Sequence, residues 1–165
     1  MFDYYVDIES SQLKDWFNLR NEGIERSIDT SKSITHYTIP TNDTIASQFL
    51  MRRFIQNGVA PMLVGNAGCG KTQIIKGLLN ELTAGGEDYR QQIVNFNYFT
   101  DSTLLQKVLE SQLVKMGGAG FGPPGKARLI YFIDDVNMPK LDAYETQTAI
   151  ALVRQHLDYS HWYDK

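Results

Sequence analysis

Residues Gly65-Asn66-Ala67-Gly68-Cys69-Gly70-Lys71-Thr72 match the spacing G-x-x-x-x-G-K-[ST] without a mismatch. Each part of the run has a chemical reason. Glycines let the backbone curl, so that several N–H groups point inward as a nest for an anion. A helix beginning near Lys71 adds its positive end at the same point. The Lys71 ammonium is a mobile point charge for β- and γ-phosphates, and the Thr72 hydroxyl suits one place in the octahedral shell of Mg²⁺. Cys69 fills a variable position and contributes its backbone N–H; as a lone thiol it has no partner for redox or metal chemistry.

A second run complements the first. Leu129-Ile130-Tyr131-Phe132-Ile133 is apolar and ends in Asp134-Asp135, a strand carrying two carboxylates to its C-terminal tip. This is a Walker B pattern. Asp134 would hold Mg²⁺ through its water shell, and Asp135 would orient and polarise the attacking water.

The elements that must position these residues follow from periodicity and punctuation. Residues 1–38 read as an irregular lead-in, with a short helix over Ser11–Leu19 and a short strand over Ile34–Ile39. Thr41–Asn57 reads as a helix capped by Thr41 or Asn42 and stopped by Gly58. Ala60–Val64 reads as a buried strand feeding the glycine loop, and Lys71–Leu82 as the helix leaving it, ended by Gly85–Gly86. Then come a strand over Gln92–Phe96, a helix over Ser102–Lys115, a Gly/Pro loop over Gly117–Lys126, the strand Leu129–Ile133 and a helix over Asp142–Asp158. In that last helix Ile150, Val153 and Leu157 share one face. Alternating strands and helices predict an α/β fold with a parallel sheet flanked by helices.

Composition limits the alternatives. The 165 residues are enough for one domain, and 42% hydrophobic with 21% charged residues is globular rather than disordered. A net charge of −3 argues against a nucleic-acid grip by bulk charge, and no stretch has the run of apolar residues that a membrane span needs. Neither nucleic acid nor membrane is therefore expected as a partner. His36, His156 and His161 lack metal-ligand spacing with any other ligand. Trp16 and Trp162 read as packing residues, and Lys140 and Arg154 as exposed charges.

Four features together resemble dynein heavy chains, which are built from AAA+ P-loop modules. They are Ile39-Pro40-Thr41-Asn42-Asp43-Thr44 before the first long helix, and the phosphate loop as written above. They also include Phe121-Gly122-Pro123-Pro124-Gly125-Lys126, and Phe132-Ile133-Asp134-Asp135-Val136-Asn137-Met138-Pro139 followed by Tyr144 and Gln147. The tail, Leu152-Val153-Arg154-Gln155-His156-Leu157-Asp158 and then His161-Trp162-Tyr163-Asp164-Lys165, is similar to the third AAA+ module of axonemal dyneins of outer-arm type. The resemblance covers residues 34–165, a partial AAA+ P-loop domain, with 1–33 as a lead-in from a preceding module.

The resemblance implies a microtubule motor with several AAA+ modules in one chain, acting in the cytoplasm and cytoskeleton, in the axoneme of a cilium or flagellum. It implies ATP or ADP with Mg²⁺ as ligands. Its partners would be neighbouring modules of the same heavy chain, microtubules, and dynein intermediate and light chains. Carried onto this sequence, Gly65, Asn66, Ala67, Gly68, Cys69, Gly70, Lys71 and Thr72 bind phosphate, Thr72 and Asp134 serve the metal, Asp135 and Lys71 act in catalysis, and Ile39 and Pro40 begin the adenine pocket. Most AAA+ enzymes place glutamate where this chain has Asp135. The carboxylate is drawn back by about 1.5 Å, one C–C bond length, which predicts tight binding and slow, regulatory hydrolysis. A nucleotide staple without turnover, and a module of another AAA+ remodelling ATPase, are the competing readings.

The AAA+ pattern also has a sensor strand, a fifth strand, an arginine finger and a helical lid, for which these residues show no counterpart. The sequence therefore reads as a piece of a longer chain, truncated before the sensor strand. Alone it is expected to bind nucleotide poorly and to hydrolyse almost none.

Overall fold

The structure, a computed structural model, describes residues 4–19, 40–84, 89–118 and 120–163. The strand expected over Ile34–Ile39, Ile39 itself, His36, the Gly85–Gly86 stop and the terminal Asp164 and Lys165 lie outside the described residues. The chain divides into two compact units, Met1–Leu78 and Leu79–Lys165.

The first unit begins with an antiparallel hairpin, β1 (Tyr4–Asp7) and β2 (Gln12–Asp15), where an irregular lead-in and a helix from Ser11 were expected. Tyr4↔Asp15 through Asp7↔Gln12 pair in register, and Ser11 takes φ 54° to close the turn. The Asp7 carboxylate accepts from the Ser10 hydroxyl and the Lys14 ammonium. These contacts outcompete the weak helical periodicity; only residues 16–19 are helical. Trp16 is buried, and its ring lies 4.9 Å from Tyr5 and 5.5 Å from Phe49, so it packs as expected.

Helix α1 (Asn42–Gln56) starts at a capping box. Thr41 Oγ1 accepts from the Thr44 N–H at 3.2 Å, and Thr44 Oγ1 accepts from the Thr41 N–H at 2.8 Å. The helix ends at Asn57, followed by Gly58 at φ 72°. Helix α2 (Lys71–Thr83) buries Leu78 almost completely. Gln48 of α1 donates to the Ile74 carbonyl at 3.1 Å, and a Cβ on Gly77 would stand 3.2 Å from the same Gln48 nitrogen. Gly77 thus allows the close approach of these helices.

Residues 60–64 form no ladder with any described strand, and Met62 and Val64 are exposed. An apolar run becomes a strand only where a neighbour takes up its N–H and C=O groups, and apolarity alone does not supply that neighbour.

The second unit centres on a parallel pair, β3 (Tyr89–Asn95) and β6 (Arg128–Asp134), in register from Tyr89↔Arg128 to Asn95↔Asp134. Helices α3 (Ser102–Glu110) and α4 (Thr148–Tyr159) cover one face. There Val94, Phe96, Leu105, Leu109, Ala149 and Leu152 form the core, with Tyr131 and Ile133 against it. On strand geometry the alternate residues face the other way, where Gln91 donates to Asn80 Oδ1 at 3.1 Å and so reaches the end of α2.

Two helices are shorter than their periodicity suggests. The helix expected to Lys115 stops at Glu110, and β4 (Val114–Lys115) instead pairs with β5 (Phe121–Gly122) as a small hairpin. The stop has a cause: side chains take the last carbonyls of α3. Gln92 Nε2 and Ser111 Oγ both donate to the Val108 carbonyl, at 2.9 and 2.7 Å, and the Tyr131 hydroxyl donates to that of Leu109. The helix expected from Asp142 starts at Thr148. Asp142 instead organises a turn, its carboxylate accepting from the N–H groups of Tyr144 and Thr146 and from the Thr146 hydroxyl. Those hydrogen bonds, the Thr146 hydroxyl's first, hold the Asp142 carboxyl below its usual range. In α4, Ala149 and Leu152 are buried while Leu157 is exposed, so Leu157 is not a core residue.

After α4 the chain turns at Ser160, φ 59°. The Trp162 indole donates to Glu110 Oε1 at 2.9 Å, and Gln106 donates both to that oxygen and to the Tyr163 carbonyl. Trp162 is therefore a packing residue.

Candidate nucleotide site

The glycine loop occupies the exposed stretch before α2, and Lys71 is the first residue of that helix. Gly68 and Gly70 have φ of 78° and 84°, and a Cβ built on either would meet nothing within 4 Å. Both glycines are thus needed for backbone conformation rather than for space. Alternation of such residues with ordinary ones is what turns successive N–H groups toward a common point. Gly65 differs, because a Cβ there would stand 3.3 Å from Cys69 Sγ. Cys69 is exposed as a residue, yet its sulfur packs across the loop, a role that motif spacing does not reveal.

Lys71 is held by its own loop. Its Nζ donates to the Gly65 carbonyl at 2.8 Å and to the Asn66 carbonyl at 2.7 Å, and approaches Cys69 Sγ at 3.4 Å. The ammonium therefore sits over the loop. α2 carries no acidic residue in its first turn to offset its positive N-terminal end. Thr72 is half-buried at the second helical position, Asn66 and Ala67 are exposed in the loop, and Pro40 is half-buried just ahead of the Thr41 cap. This arrangement fits a polyphosphate: a cationic side chain, left-handed glycines and an uncompensated helix N-terminus converge on residues 65–72.

In the second unit, Asp134 is the last residue of β6 and Asp135 the first beyond it. The Asp134 carbonyl accepts from the Phe96 N–H at 3.0 Å, which fixes the strand end. Asp134 Oδ1 accepts from the Asp135 N–H at 3.1 Å, and Asp135 takes φ 55°. Asp134 is half-buried and Asp135 exposed. Carboxylate and hydroxyl oxygens are the hard donors Mg²⁺ takes, so Asp134 and Thr72 have the right chemistry for that ion. Asn95 stands opposite Asp134 in the ladder, at the tip of the neighbouring strand; no motif points to it, and only the register finds it. Lys140 and Arg154 are exposed, and Arg154 pairs with Asp158 one turn along α4 at 3.3 Å.

Comparison with known proteins gives one family and a set of relatives. The family described as P-loop containing dynein motor region matches residues 26–165. The chain is 42% identical over its whole length to a ciliary dynein beta chain of Heliocidaris crassispina. It is 41% identical to a flagellar outer arm dynein alpha chain of Chlamydomonas reinhardtii, and 41% identical to dynein axonemal heavy chain 9 of Homo sapiens, each again over its whole length. It spans 4% of the length of each of these relatives.

Proposed function

The chain belongs to the P-loop containing dynein motor region family, and on that premise we propose that it is a nucleotide-binding AAA+ module of an axonemal dynein heavy chain. In this reading it is the third module of an outer-arm-type chain, with residues 34–165 as part of one AAA+ domain and 1–33 leading in. It binds Mg-ATP or Mg-ADP and turns ATP over slowly, so that the bound nucleotide regulates motion of the ring.

The observation that carries the reading is Lys71 poised over a loop whose Gly68 and Gly70 are both left-handed. Residues 65–70 offer backbone N–H groups to the phosphates, and Lys71 exchanges the Gly65 and Asn66 carbonyls for phosphate oxygens. Thr72 and Asp134 hold Mg²⁺, which neutralises charge on the β- and γ-phosphates when bound. Asp135 is the acid that orients water. Ile39 and Pro40 begin the adenine pocket.

Through the parent protein the partners are neighbouring modules, microtubules and dynein intermediate and light chains, and the place is the axoneme. This follows the ciliary, flagellar and axonemal names of the relatives. A second reading is a nucleotide staple without turnover, favoured by the short side chain of Asp135. Binding of a fluorescent ATP analogue tests the proposal. Native protein should bind it with Mg²⁺ present, and Lys71→Ala should lose at least roughly tenfold in affinity, the scale of one charge-assisted contact. Equal affinity in the two proteins would overturn it.

A further inference from the structure

Two contacts fasten helix α1 within the first unit, and they fall on adjacent residues. Phe49 makes the first. Its ring lies 5.2 Å from that of Tyr5 and 5.5 Å from that of Trp16, and those two rings lie 4.9 Å apart. Tyr5 is on β1, and the buried Trp16 directly follows β2, so aromatic packing joins the hairpin to α1. Arg53, one turn further along α1, holds its guanidinium 5.3 Å from the Phe49 ring.

Gln48 makes the second contact. Its Nε2 donates to the Ile74 carbonyl at 3.1 Å, and the Ile74 N–H donates to the Gly70 carbonyl at 3.0 Å. That second bond closes the turn that carries Lys71 and Thr72. Ile74 therefore ties Gln48 to the last glycine of the phosphate loop. Glycine inside a helix loses much backbone entropy, and the room that Gly77 leaves is taken by the Gln48 amide: a Cβ there would stand 3.2 Å from its nitrogen. The loop itself, residues 65–70, is exposed throughout, so little packing restrains the turn it feeds.

We propose that Gln48 is a positioning residue for the phosphate loop, and that the hairpin acts on the loop through it. This rests on the nucleotide-site reading and deepens it, because the hairpin becomes a regulatory input to that site. Tyr5 and Trp16 set Phe49, Phe49 and Gln48 share one turn of α1, and Gln48 sets Ile74 and with it the turn at Lys71. Apparent affinity scales with the fraction of molecules in which the binding turn is already set, and Gln48 raises that fraction. In the proposed motor, residues 1–33 lead in from the preceding module, so a displacement there reaches the nucleotide as a change in affinity.

A double-mutant cycle of native protein, Gln48→Met, Tyr5→Ala and the double variant tests this. Met keeps the side chain's length and removes its donor. Tyr5→Ala loosens the hairpin contact and leaves Trp16 in place; if it does not fold, Tyr5→Leu replaces it. Two quantities are read: Mg-ATP affinity, and amide hydrogen exchange of residues 71–75 without nucleotide. Gln48→Met should speed that exchange roughly threefold to tenfold, the scale of one hydrogen bond, and weaken Mg-ATP binding by about threefold or more. Tyr5→Ala should move both quantities in the same direction by about twofold or more in native protein, and should add nothing once Gln48 is Met. Native exchange and affinity in Gln48→Met would overturn the proposal. So would a Tyr5→Ala effect that is absent from native protein or equal in both backgrounds. Native protein that binds no Mg-ATP would refute the nucleotide reading instead, and the exchange cycle would still decide whether the hairpin acts on the loop through Gln48.

Discussion

The Tyr131 hydroxyl donates to the Leu109 carbonyl at 2.7 Å, tying the acidic strand to the last turn of the helix that precedes it. That bond, with those from Gln92 and Ser111 to Val108, ends α3 and seats it on the sheet. Tyr131→Phe leaves a helix-end carbonyl without this donor, at a cost of about 1–2 kcal/mol. For a chain of this size that is a fall in melting temperature of roughly 2–8 °C.

The same residue gives a pH signature. Burial, and then the Glu110 charge, push the Tyr131 phenol from 10.0 up to about 12. A phenol that is harder to ionise when folded contributes its stability below its unfolded pKa. That contribution is lost as pH rises through the folded one. The native protein should therefore lose its advantage over Tyr131→Phe between about pH 10 and 12. Melting both proteins from pH 8 to 11.5 checks this; a constant gap across the range would contradict it.

Gly65 and Cys69 form a second testable pair. A methyl on Gly65 would press on Cys69 Sγ at 3.3 Å, a contact closer than ordinary packing. Gly65→Ala should lower the melting temperature and weaken nucleotide binding. Removing the sulfur in Gly65→Ala/Cys69→Ala should recover part of both. In Gly68→Ala the fault is a backbone at φ 78°, so the same Cys69→Ala change should rescue nothing. A double-mutant cycle showing equal coupling of Cys69 to both glycines would count against this account.

On the proposed function, Asp135 bears on rate. Asp135→Glu lengthens the acid by one methylene and advances its carboxylate by about 1.5 Å. Displacements near 1 Å are worth up to about 10²-fold in catalysis. Single-site turnover in the parent heavy chain should rise by roughly tenfold or more, while the left-handed backbone makes the longer residue melt slightly lower. Unchanged turnover would favour the nucleotide staple over the slow ATPase.

The sequence was most legible where one residue type has one local job. Thr41 caps α1, Gly58 follows its end, and Lys71 opens α2 as its motif requires. The acidic strand lies within one residue of its expected bounds at each end. Legibility failed where distant groups compete for the backbone. Hydrophobic spacing continues α3 to Lys115, but carbonyls at its end are taken by Gln92 and Tyr131 from strands far away in sequence. Asp142 looks like a helix start, yet its carboxylate bonds Tyr144 and Thr146 in a turn of their own. Among the candidate residues, the motifs pointed to Lys71 and Asp134. They could not give the loop carbonyls that hold Lys71 or the left-handed turn at Asp135, because both are properties of backbone geometry.

The central claim is that residues 65–72 bind the phosphates of a nucleotide. Thermal melting with and without Mg-ATP tests it most directly, in native protein and in Lys71→Ala. A ligand that binds only the folded state adds about 2.7 kcal/mol at 100 times its dissociation constant, several degrees for a domain of this size. The account predicts an upward shift in native protein and none in Lys71→Ala. No shift in native protein, or an equal shift in both, would contradict it.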